Sequence, residues 1–286
     1  MRILSLPRWK NKTDVCRGVF QEEIDTNDRY SVSVYSLSAG AEWSIEKNLF
    51  QTFYIMEGFV SVVMADAKNA SLGSKKMNKG KGWLLLPTQS QVIKAEIDST
   101  IFAITNTLPL VGTEIINRAK KVPFNDDRIN ELSDYVVNKP WGSEQWLVDT
   151  DVYVLKGIQM NSGHECSLHL HEQKIEVNLI LSGKVRLTLG HSITVDEAIA
   201  LHYKNGGKQV NFSMATQDVD TVKNIIKPTV IAPGEGWKAH PYEMHQVLSL
   251  DTYFALEVST SEVDDIIRLK DLYNRPSGRI ASEHKQ

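Results

Sequence analysis

Two histidines and a glutamate in the second half of the sequence have the spacing of a metal site. His169 and His171 are two residues apart, so both side chains leave the same face if this segment is a β-strand. Glu176 follows a short polar turn and begins an apolar run, so a hairpin would place its carboxylate beside the two imidazoles. These groups are borderline ligands that suit Zn, Mn, Fe or Ni. The pattern predicts a site for a divalent transition metal ion.

A fourth ligand is available downstream. His245 begins another strand-like segment, four residues after Pro241 and after a turn-rich stretch that starts at Pro233. A single histidine is more often an ordinary half-buried residue than a ligand. Three histidines and one glutamate, each at the edge of a strand, favour metal binding instead.

These residues resemble the cupin superfamily. Pro241 and His245 resemble its second motif, although Tyr242 and Glu243 stand where a glycine is usual. Segment 139–144 resembles the opening of cupin-type (type II) mannose-6-phosphate isomerase domains. Segment 256–269 resembles the end of cupin sugar isomerases and related sugar-locus cupins. The resemblance covers residues 135–280. The residues that match the first cupin motif at every spacing are Gly163, His169, His171, Glu176 and Gly183.

The whole chain is predicted to be all-β, with two cupin barrels (double-stranded β-helices, or jelly rolls) and few short helices. Many short alternating segments separated by turns fill the first half of the chain. Three segments have helical spacing, namely 113–121, 196–203 and 263–273. The predicted domains are an N-terminal degenerate cupin at 1–112, a connector at 113–134, and a metal-binding cupin at 135–286 with an insertion at 191–225.

The first half is a weak repeat of the second half and is predicted to lack a metal. Its Met56-Glu57-Gly58 aligns with Leu181-Ser182-Gly183, and Pro87 aligns with Pro241. Counting from these anchors places serine, glutamate and two glutamines opposite the metal ligands, a poor set for a transition metal. These four residues are Ser44, Glu46, Gln51 and Gln91, opposite His169, His171, Glu176 and His245 respectively.

The resemblance implies a metal-dependent aldose–ketose isomerase that acts on a sugar or sugar phosphate through an enediolate. The metal would chelate vicinal sugar oxygens while a neighbouring base moves a proton. Lys174 and Glu257 are the candidates for proton transfer, because Lys174 shares strand parity with Glu176 and Glu257 lies on the last strand. Asn178 and Arg268 are candidates for binding the sugar and its phosphate. Solvent exposure of Lys174, and salt bridges of Glu257 and Arg268, are the alternative roles.

Two other functions compete with isomerisation, so enzyme activity is favoured but open. One is a non-catalytic sugar-binding cupin, and the other is an iron-dependent cupin oxygenase. The net charge of −3, from 32 basic and 35 acidic residues, gives no reason to expect nucleic acid or an anionic membrane as partner. The two cysteines and the absence of an apolar leader predict a cytoplasmic protein. A homodimer is the expected assembly.

Overall fold

Every regular element in the described parts of the chain is a β-strand. The computed structural model describes residues 2–5, 12–66, 68, 70–107, 116–117, 122–123, 128–192 and 225–283. The first fourteen strands are β1 (Arg2–Ser5), β2 (Thr13–Cys16), β3 (Val19–Thr26), β4 (Tyr30–Leu37), β5 (Glu42–Ile45), β6 (Gln51–Glu57), β7 (Phe59–Ala65), β8 (Ser71–Asn78), β9 (Gly82–Leu85), β10 (Ser90–Ala95), β11 (Ser99–Asn106), β12 (Ile116–Asn117), β13 (Val122–Pro123) and β14 (Asn130–Glu131).

The strands of the second half include those that carry the predicted metal ligands. Both His169 and His171 lie in β18, Glu176 is the first residue of β19, and His245 lies in β23. These strands are β15 (Tyr135–Lys139), β16 (Gly142–Asp149), β17 (Tyr153–Met160), β18 (Leu168–His171), β19 (Glu176–Ser182), β20 (Val185–Ser192), β21 (Ile225–Ile231), β22 (Glu235–Ala239), β23 (Glu243–Ser249), β24 (Tyr253–Thr260) and β25 (Ile266–Lys270).

The chain forms two compact units, here called the first and the second barrel. The first barrel contains β2 to β14 together with residues 150–152, and the second contains β1 and β15 to β25. The first barrel has a seven-stranded sheet in the order β14-β9-β6-β11-β4-β3-β2 and a four-stranded sheet in the order β5-β10-β7-β8. The second barrel has a seven-stranded sheet in the order β1-β22-β19-β24-β17-β16-β15 and a five-stranded sheet in the order β21-β20-β23-β18-β25.

The two seven-stranded sheets repeat the same order position by position, apart from their first edge strand. In the first barrel that edge strand is β14, whereas in the second barrel it is β1, from the start of the chain. Strand β1 pairs antiparallel with β22, from Arg2 opposite Lys238 to Ser5 opposite Glu235. The predicted domain 1–112 wrongly includes these residues, because no local pattern shows that a strand pairs with a segment more than 200 positions away.

The register of the first barrel corrects two of the predicted equivalences. Gln91 pairs with Ile45 in the first barrel, as His245 pairs with His169 in the second. Ile45 therefore corresponds to His169, and Ser44 does not. Both Ser44 and Glu46 are exposed, while Ile45 belongs to the hydrophobic core of the first barrel.

The two glutamines that the repeat aligns with metal ligands do lie in the interior. Gln91 Oε1 accepts a hydrogen bond from Trp83 Nε1 at 2.7 Å, and Gln51 Nε2 donates to Thr105 Oγ1 at 2.8 Å. Each amide thus contacts a neighbouring side chain, and a hydrophobic core of aliphatic and aromatic residues fills the same barrel. That arrangement suits a structural role for this barrel.

The predicted helix at 263–273 is wrong, because residues Ile266–Lys270 form strand β25. This strand pairs with β18, with Leu170 opposite Ile267 and His171 opposite Ile266. Ile266 and Ile267 are β-branched and favour a strand when a partner edge is available. Tertiary pairing has therefore overridden the local helical spacing.

The two other predicted helices lie largely outside the described residues. Within 113–121 only Ile116 and Asn117 are described, and they form β12, a strand and not a helix. The segment 196–203 lies wholly outside, as does most of the predicted insertion at 191–225. Only the end of β20 and the start of β21 are described there.

The second barrel is packed around a core of alternating inward side chains. In β20 the inward residues Val185, Leu187 and Leu189 are buried, as the alternating sequence predicts. The turn before β20 needs glycine, since Gly183 has φ +76° and an added Cβ would lie 2.4 Å from the carbonyl oxygen of Thr252. This tight turn fixes where β19 ends, and so where its first residue, Glu176, enters the barrel.

Candidate metal centre

Three histidines converge inside the second barrel. His169 and His245 are direct partners on the neighbouring strands β18 and β23, and His171 projects from the same face of β18 as His169. One ring nitrogen from each histidine lies within 4.8 Å of the other two, and all three residues are buried. Among the described residues this is the one group of three such side chains close enough to share an ion.

The orientation of each imidazole is fixed from behind by an acceptor that cannot donate. A carbonyl or carboxylate oxygen contacts each Nδ1, so each Nδ1 must carry the proton, which leaves each Nε2 with a free lone pair. Such contacts are typical of metal-ligating histidines. The three contacts are His169 Nδ1 to Ser167 O at 2.7 Å, His171 Nδ1 to Asp265 Oδ1 at 2.7 Å, and His245 Nδ1 to Glu243 O at 3.1 Å.

Glu176 lies directly beside these free nitrogens. Its Oε1 is 3.0 Å from His245 Nε2, and its Oε2 is 3.6 Å from His171 Nε2. The Nε2 atom of His171 is buried and has no hydrogen-bond partner within the described structure, while the buried Nε2 atom of His245 faces the Glu176 carboxylate. Buried acceptor atoms without donors are costly unless a cation lies between them. The three histidines therefore fit a divalent metal ion, and the Glu176 carboxylate lies beside two of the three imidazoles.

The electrostatics of the group also suit a cation. Burial lowers the pKa of His169, and the neighbouring His245 lowers it further. Burial, followed by the Lys174 ammonium, lowers the pKa of His171. Burial alone would lower the pKa of His245, but the Glu176 carboxylate outweighs it and raises this pKa above 6.5. Two of the three imidazoles are thus held neutral, which is the form that binds a metal.

We expect metal affinity to fall as the pH drops through neutrality. Protons compete with the ion for Nε2, and a raised pKa means that His245 takes up its proton at a higher pH than an ordinary histidine. His171 and His169 follow only at lower pH. Titration against a chromophoric chelator from about pH 8 to about pH 5 measures this loss. An affinity that is constant across that range would contradict the assignment.

Lys174 lies between two carboxylates, those of Glu176 and Glu257. Glu176 in turn lies beside the histidine cluster, the name used here for His169, His171 and His245. The Nζ of Lys174 donates to Glu176 Oε2 at 2.5 Å and to Glu257 Oε1 at 2.9 Å, and the lysine side chain is 4% exposed. Burial alone would lower the pKa of Lys174, but the two carboxylates outweigh it and raise this pKa above its usual range. Lys174 is therefore a permanent ammonium group. Lys174 and Glu257, the two residues predicted for proton transfer, therefore both lie inside the second barrel beside Glu176.

The contact between Lys174 and Glu257 is part of a longer row of alternating charges, here called the charge ladder. All of its side chains are at most 13% exposed. One signal of this ladder is visible in the sequence, because Lys156 is the single charged residue of the apolar strand β17. Beyond Glu257, the distances from side-chain nitrogen to carboxylate oxygen are 3.7 Å for Glu257–Lys156, 3.6 Å for Lys156–Glu144, 3.5 Å for Glu144–Lys139, 2.8 Å for Lys139–Glu283 and 3.7 Å for Glu283–Arg275.

A cavity of about 120 Å³ lies beside the histidines and the charge ladder. Trp141, Trp237 and Tyr253 supply an apolar part of its wall, and the ladder supplies polar groups. Such a mixture of rings, donors and acceptors suits a small polar molecule with apolar faces. The metal centre and the cavity therefore form one site within the second barrel.

The remaining two predicted site residues line this cavity, but both already have partners. Asn178 Nδ2 donates to Glu176 Oε1 at 3.2 Å, so it orients the carboxylate. Arg268 is buried, and its guanidinium donates to the carbonyl oxygens of Pro276 and Gly278. Arg268 thus fastens the C-terminal segment to β25.

Sequence reasoning missed Asp265, which it had placed in the first turn of a helix. Besides accepting from His171, its carboxylate accepts from the backbone N–H groups of Gln173 and Lys174 at 2.7 and 2.8 Å. These contacts fix both the tautomer of His171 and the turn between β18 and β19. Asp265 lies 94 positions from His171, so only the pairing of β25 with β18 reveals it.

Replacing Asp265 by alanine is expected to weaken metal binding by about 10- to 100-fold, the usual effect of losing a group that orients a ligand. The neighbouring Asp264 provides a matched control, because its side chain is 52% exposed and contacts Arg279. Metal titration of Asp265→Ala and Asp264→Ala measures the difference. Equal affinities in the two variants would exclude the orienting role.

Comparison with known proteins gives matches in structure alone. No protein-family profile matches the sequence, and no curated protein matches it either. Oxalate decarboxylase from Lactobacillus farciminis superposes with a TM-score of 0.60 at 12% identity, covering 93% of this chain and 88% of that chain. A Bacillus subtilis oxalate decarboxylase variant gives a TM-score of 0.61 at 13% identity, with 94% and 79% covered. The chain has the cupin fold.

At this identity the likeness establishes the fold of the cupin barrels and leaves their chemistry to the site residues. The Bacillus subtilis oxalate decarboxylase has Mn(II) centres. In this chain the three buried histidines form a group that could hold a divalent metal ion. Within the described residues, no helix is long and apolar enough to cross a membrane.

Proposed function

We propose that this protein is a metal-dependent aldose–ketose isomerase that acts on a sugar or sugar phosphate. The observation that carries the proposal is the position of Lys174, whose ammonium bridges Glu176 in the histidine cluster and Glu257 in the cavity. Isomerisation needs a base for a carbon-bound proton and a donor for the sugar oxygens. The pair Glu257 and Lys174 supplies both groups at one place.

Glu257 is the proposed base. Its carboxylate takes the proton from carbon 2 of an open-chain aldose and returns it to carbon 1, so no oxidant or reductant is needed. Its Oε1 is held by Lys174 at 2.9 Å and by Lys156 at 3.7 Å, which fixes its position. A bound divalent ion would supply Lewis-acid polarisation of the sugar carbonyl.

Lys174 is the proposed donor. An ammonium group has three N–H donors, and two of them are used by Glu176 and Glu257. The third is available to a sugar oxygen in the cavity. As the proton leaves carbon 2, this donor stabilises the negative charge that develops on the oxygen of carbon 1. Lys174 stays protonated throughout, and the proton that the oxygen of carbon 1 needs comes from the hydroxyl group of carbon 2.

The test is to incubate protein loaded with Mn, Zn, Fe or Ni with a panel of pentoses, hexoses and their phosphates in deuterated water. We expect NMR to show a ketose product from at least one aldose, with deuterium gained at carbon 2 of the remaining aldose. Binding of a sugar without exchange would favour a sugar-binding protein instead. Consumption of oxalate, or of oxygen by the iron-loaded protein, would favour a different cupin enzyme.

Two further expectations belong to this proposal. Both cysteines are free thiols, as in proteins of a reducing compartment, so we propose a cytoplasmic location. We also propose a homodimer, since twofold dimers are the commonest soluble assemblies. Light scattering after size-exclusion chromatography measures the mass in solution.

A further inference from the structure

Every cationic side chain that lines the cavity already contacts an acceptor. Lys139, Lys156 and Lys174 each contact two carboxylates of the charge ladder. The guanidinium nitrogens of Arg275 lie 2.6 Å from Asp271 Oδ1 and 3.7 Å from Glu283 Oε1. The guanidinium of Arg268 donates to backbone carbonyl oxygens. The sixth cation, Arg279, lies 3.5 Å from Asp264. The three lysines and Arg275 are therefore paired with carboxylates before any ligand binds.

The carboxylate at the far end of the ladder comes from the C-terminal segment. Gly278, Arg279, Ile280 and Glu283 all line the cavity, so the segment 278–283 contributes to its wall. Glu283 is 11% exposed and is 2.8 Å from Lys139. Its carboxylate neutralises the lysine that could otherwise bind an anion. It also presents acceptor oxygens to whatever occupies the cavity.

We infer that the cavity selects a neutral polyhydroxylated substrate, an unphosphorylated sugar, and that Glu283 is a specificity-determining residue. The inference rests on the proposed function and names its substrate class. Alternating ammonium and carboxylate groups offer donors and acceptors to successive hydroxyl groups, which have both. A phosphate group would bring a charge of about −1.5 to −2 against the ladder carboxylates, in a cavity where charges are poorly screened.

The experiment measures binding, so it does not depend on turnover. Calorimetry of the metal-loaded full chain compares D-mannose, D-glucose and D-fructose with the 6-phosphate of each. We expect at least one free sugar to bind about tenfold or more tightly than its phosphate. A phosphate that binds more tightly than every free sugar would overturn the inference, as would the failure of all six compounds to bind.

Variants test the role assigned to Glu283. Glu283→Gln keeps the shape of the side chain but removes its charge. We therefore expect the preference for a free sugar over its 6-phosphate, measured as the ratio of their affinities, to fall by about tenfold. Lys139→Met leaves the Glu283 carboxylate without its closest partner and should widen the ratio. Asp251→Asn, an exposed carboxylate in the turn after β23, is the control and should leave the ratio unchanged. An unchanged ratio in both ladder variants would overturn the role of Glu283.

The outcome separates this inference from the proposed function. If free sugars bind more tightly than their phosphates but none is isomerised, the inferred substrate class is supported and the proposed isomerase activity is contradicted. Isomerisation of a sugar phosphate in preference to the free sugar would do the reverse. The two conclusions can therefore fail independently.

Discussion

Replacing His171 by alanine is expected to lower the affinity for the metal by more than about 100-fold, beyond the effect of a group that only orients a ligand. The change removes an Nε2 atom that is buried and has no hydrogen-bond partner in the described structure. It also disconnects Asp265 from the site and leaves that carboxylate without its 2.7 Å contact. Metal content by inductively coupled plasma mass spectrometry, after dialysis against a weak chelator, gives the result.

The matched control for this variant is His164→Ala. His164 lies in the same barrel but is exposed, and its Nδ1 contacts only the nearby carbonyl oxygen of Ser162 among the described atoms. This variant should keep the metal of the parent protein. If His171→Ala retained a full equivalent of metal, the convergence of the three imidazoles would have no function as a metal centre.

Most of the histidine cluster could be predicted from the sequence, because His169, His171 and the neighbouring Glu176 lie close together along the chain. Two residues at spacing two must share a face of a strand, and a carboxylate across a short turn must lie near them. His245 needed more, namely a resemblance to a known motif. Asp265 could not be found this way, since its position depends on β25 pairing with β18 across about 95 positions of sequence.

Counting residues back from an aligned glycine assigned the wrong residues of the first barrel, because the two barrels differ in the length of one turn. Seven positions separate His169 from Glu176, but six separate Ile45 from Gln51, which occupy the corresponding places. The turn of the first barrel is therefore one residue shorter. A shift of one residue moves a side chain to the opposite face of a strand, so the count placed exposed Ser44 where buried Ile45 lies.

The charge ladder was outside the reach of sequence reasoning for a similar reason. Lys156, Glu144 and Glu257 come from three strands that become neighbours only in the sheet. Lys156 also covers the ring of Trp146, with 4.3 Å between Nζ and the ring centroid. A lysine in an apolar strand indicates a buried partner, but the identity of that partner requires the register.

Replacing Glu257 by glutamine is expected to lower kcat by about 10²- to 10⁴-fold, the range of a general base. The amide oxygen can still accept from Lys174, so the local packing should remain, but an amide cannot remove a proton from carbon. Metal content and sugar affinity should change little, because Glu257 is not among the groups around the ion. Product formation and deuterium exchange at carbon 2 should fall together, since both require the same proton transfer.

The comparison variant is Glu165→Gln, a carboxylate of the same barrel that is only partly buried and lies outside the cavity wall. It should keep the activity of the parent protein. A loss of sugar affinity at unchanged kcat in Glu257→Gln would make Glu257 a binding group. Retained exchange at carbon 2 would assign the base to another carboxylate, and Glu176 would then be the next to test because it shares the ammonium of Lys174. Loss of exchange with metal and sugar still bound is the combination that only a base at this position produces.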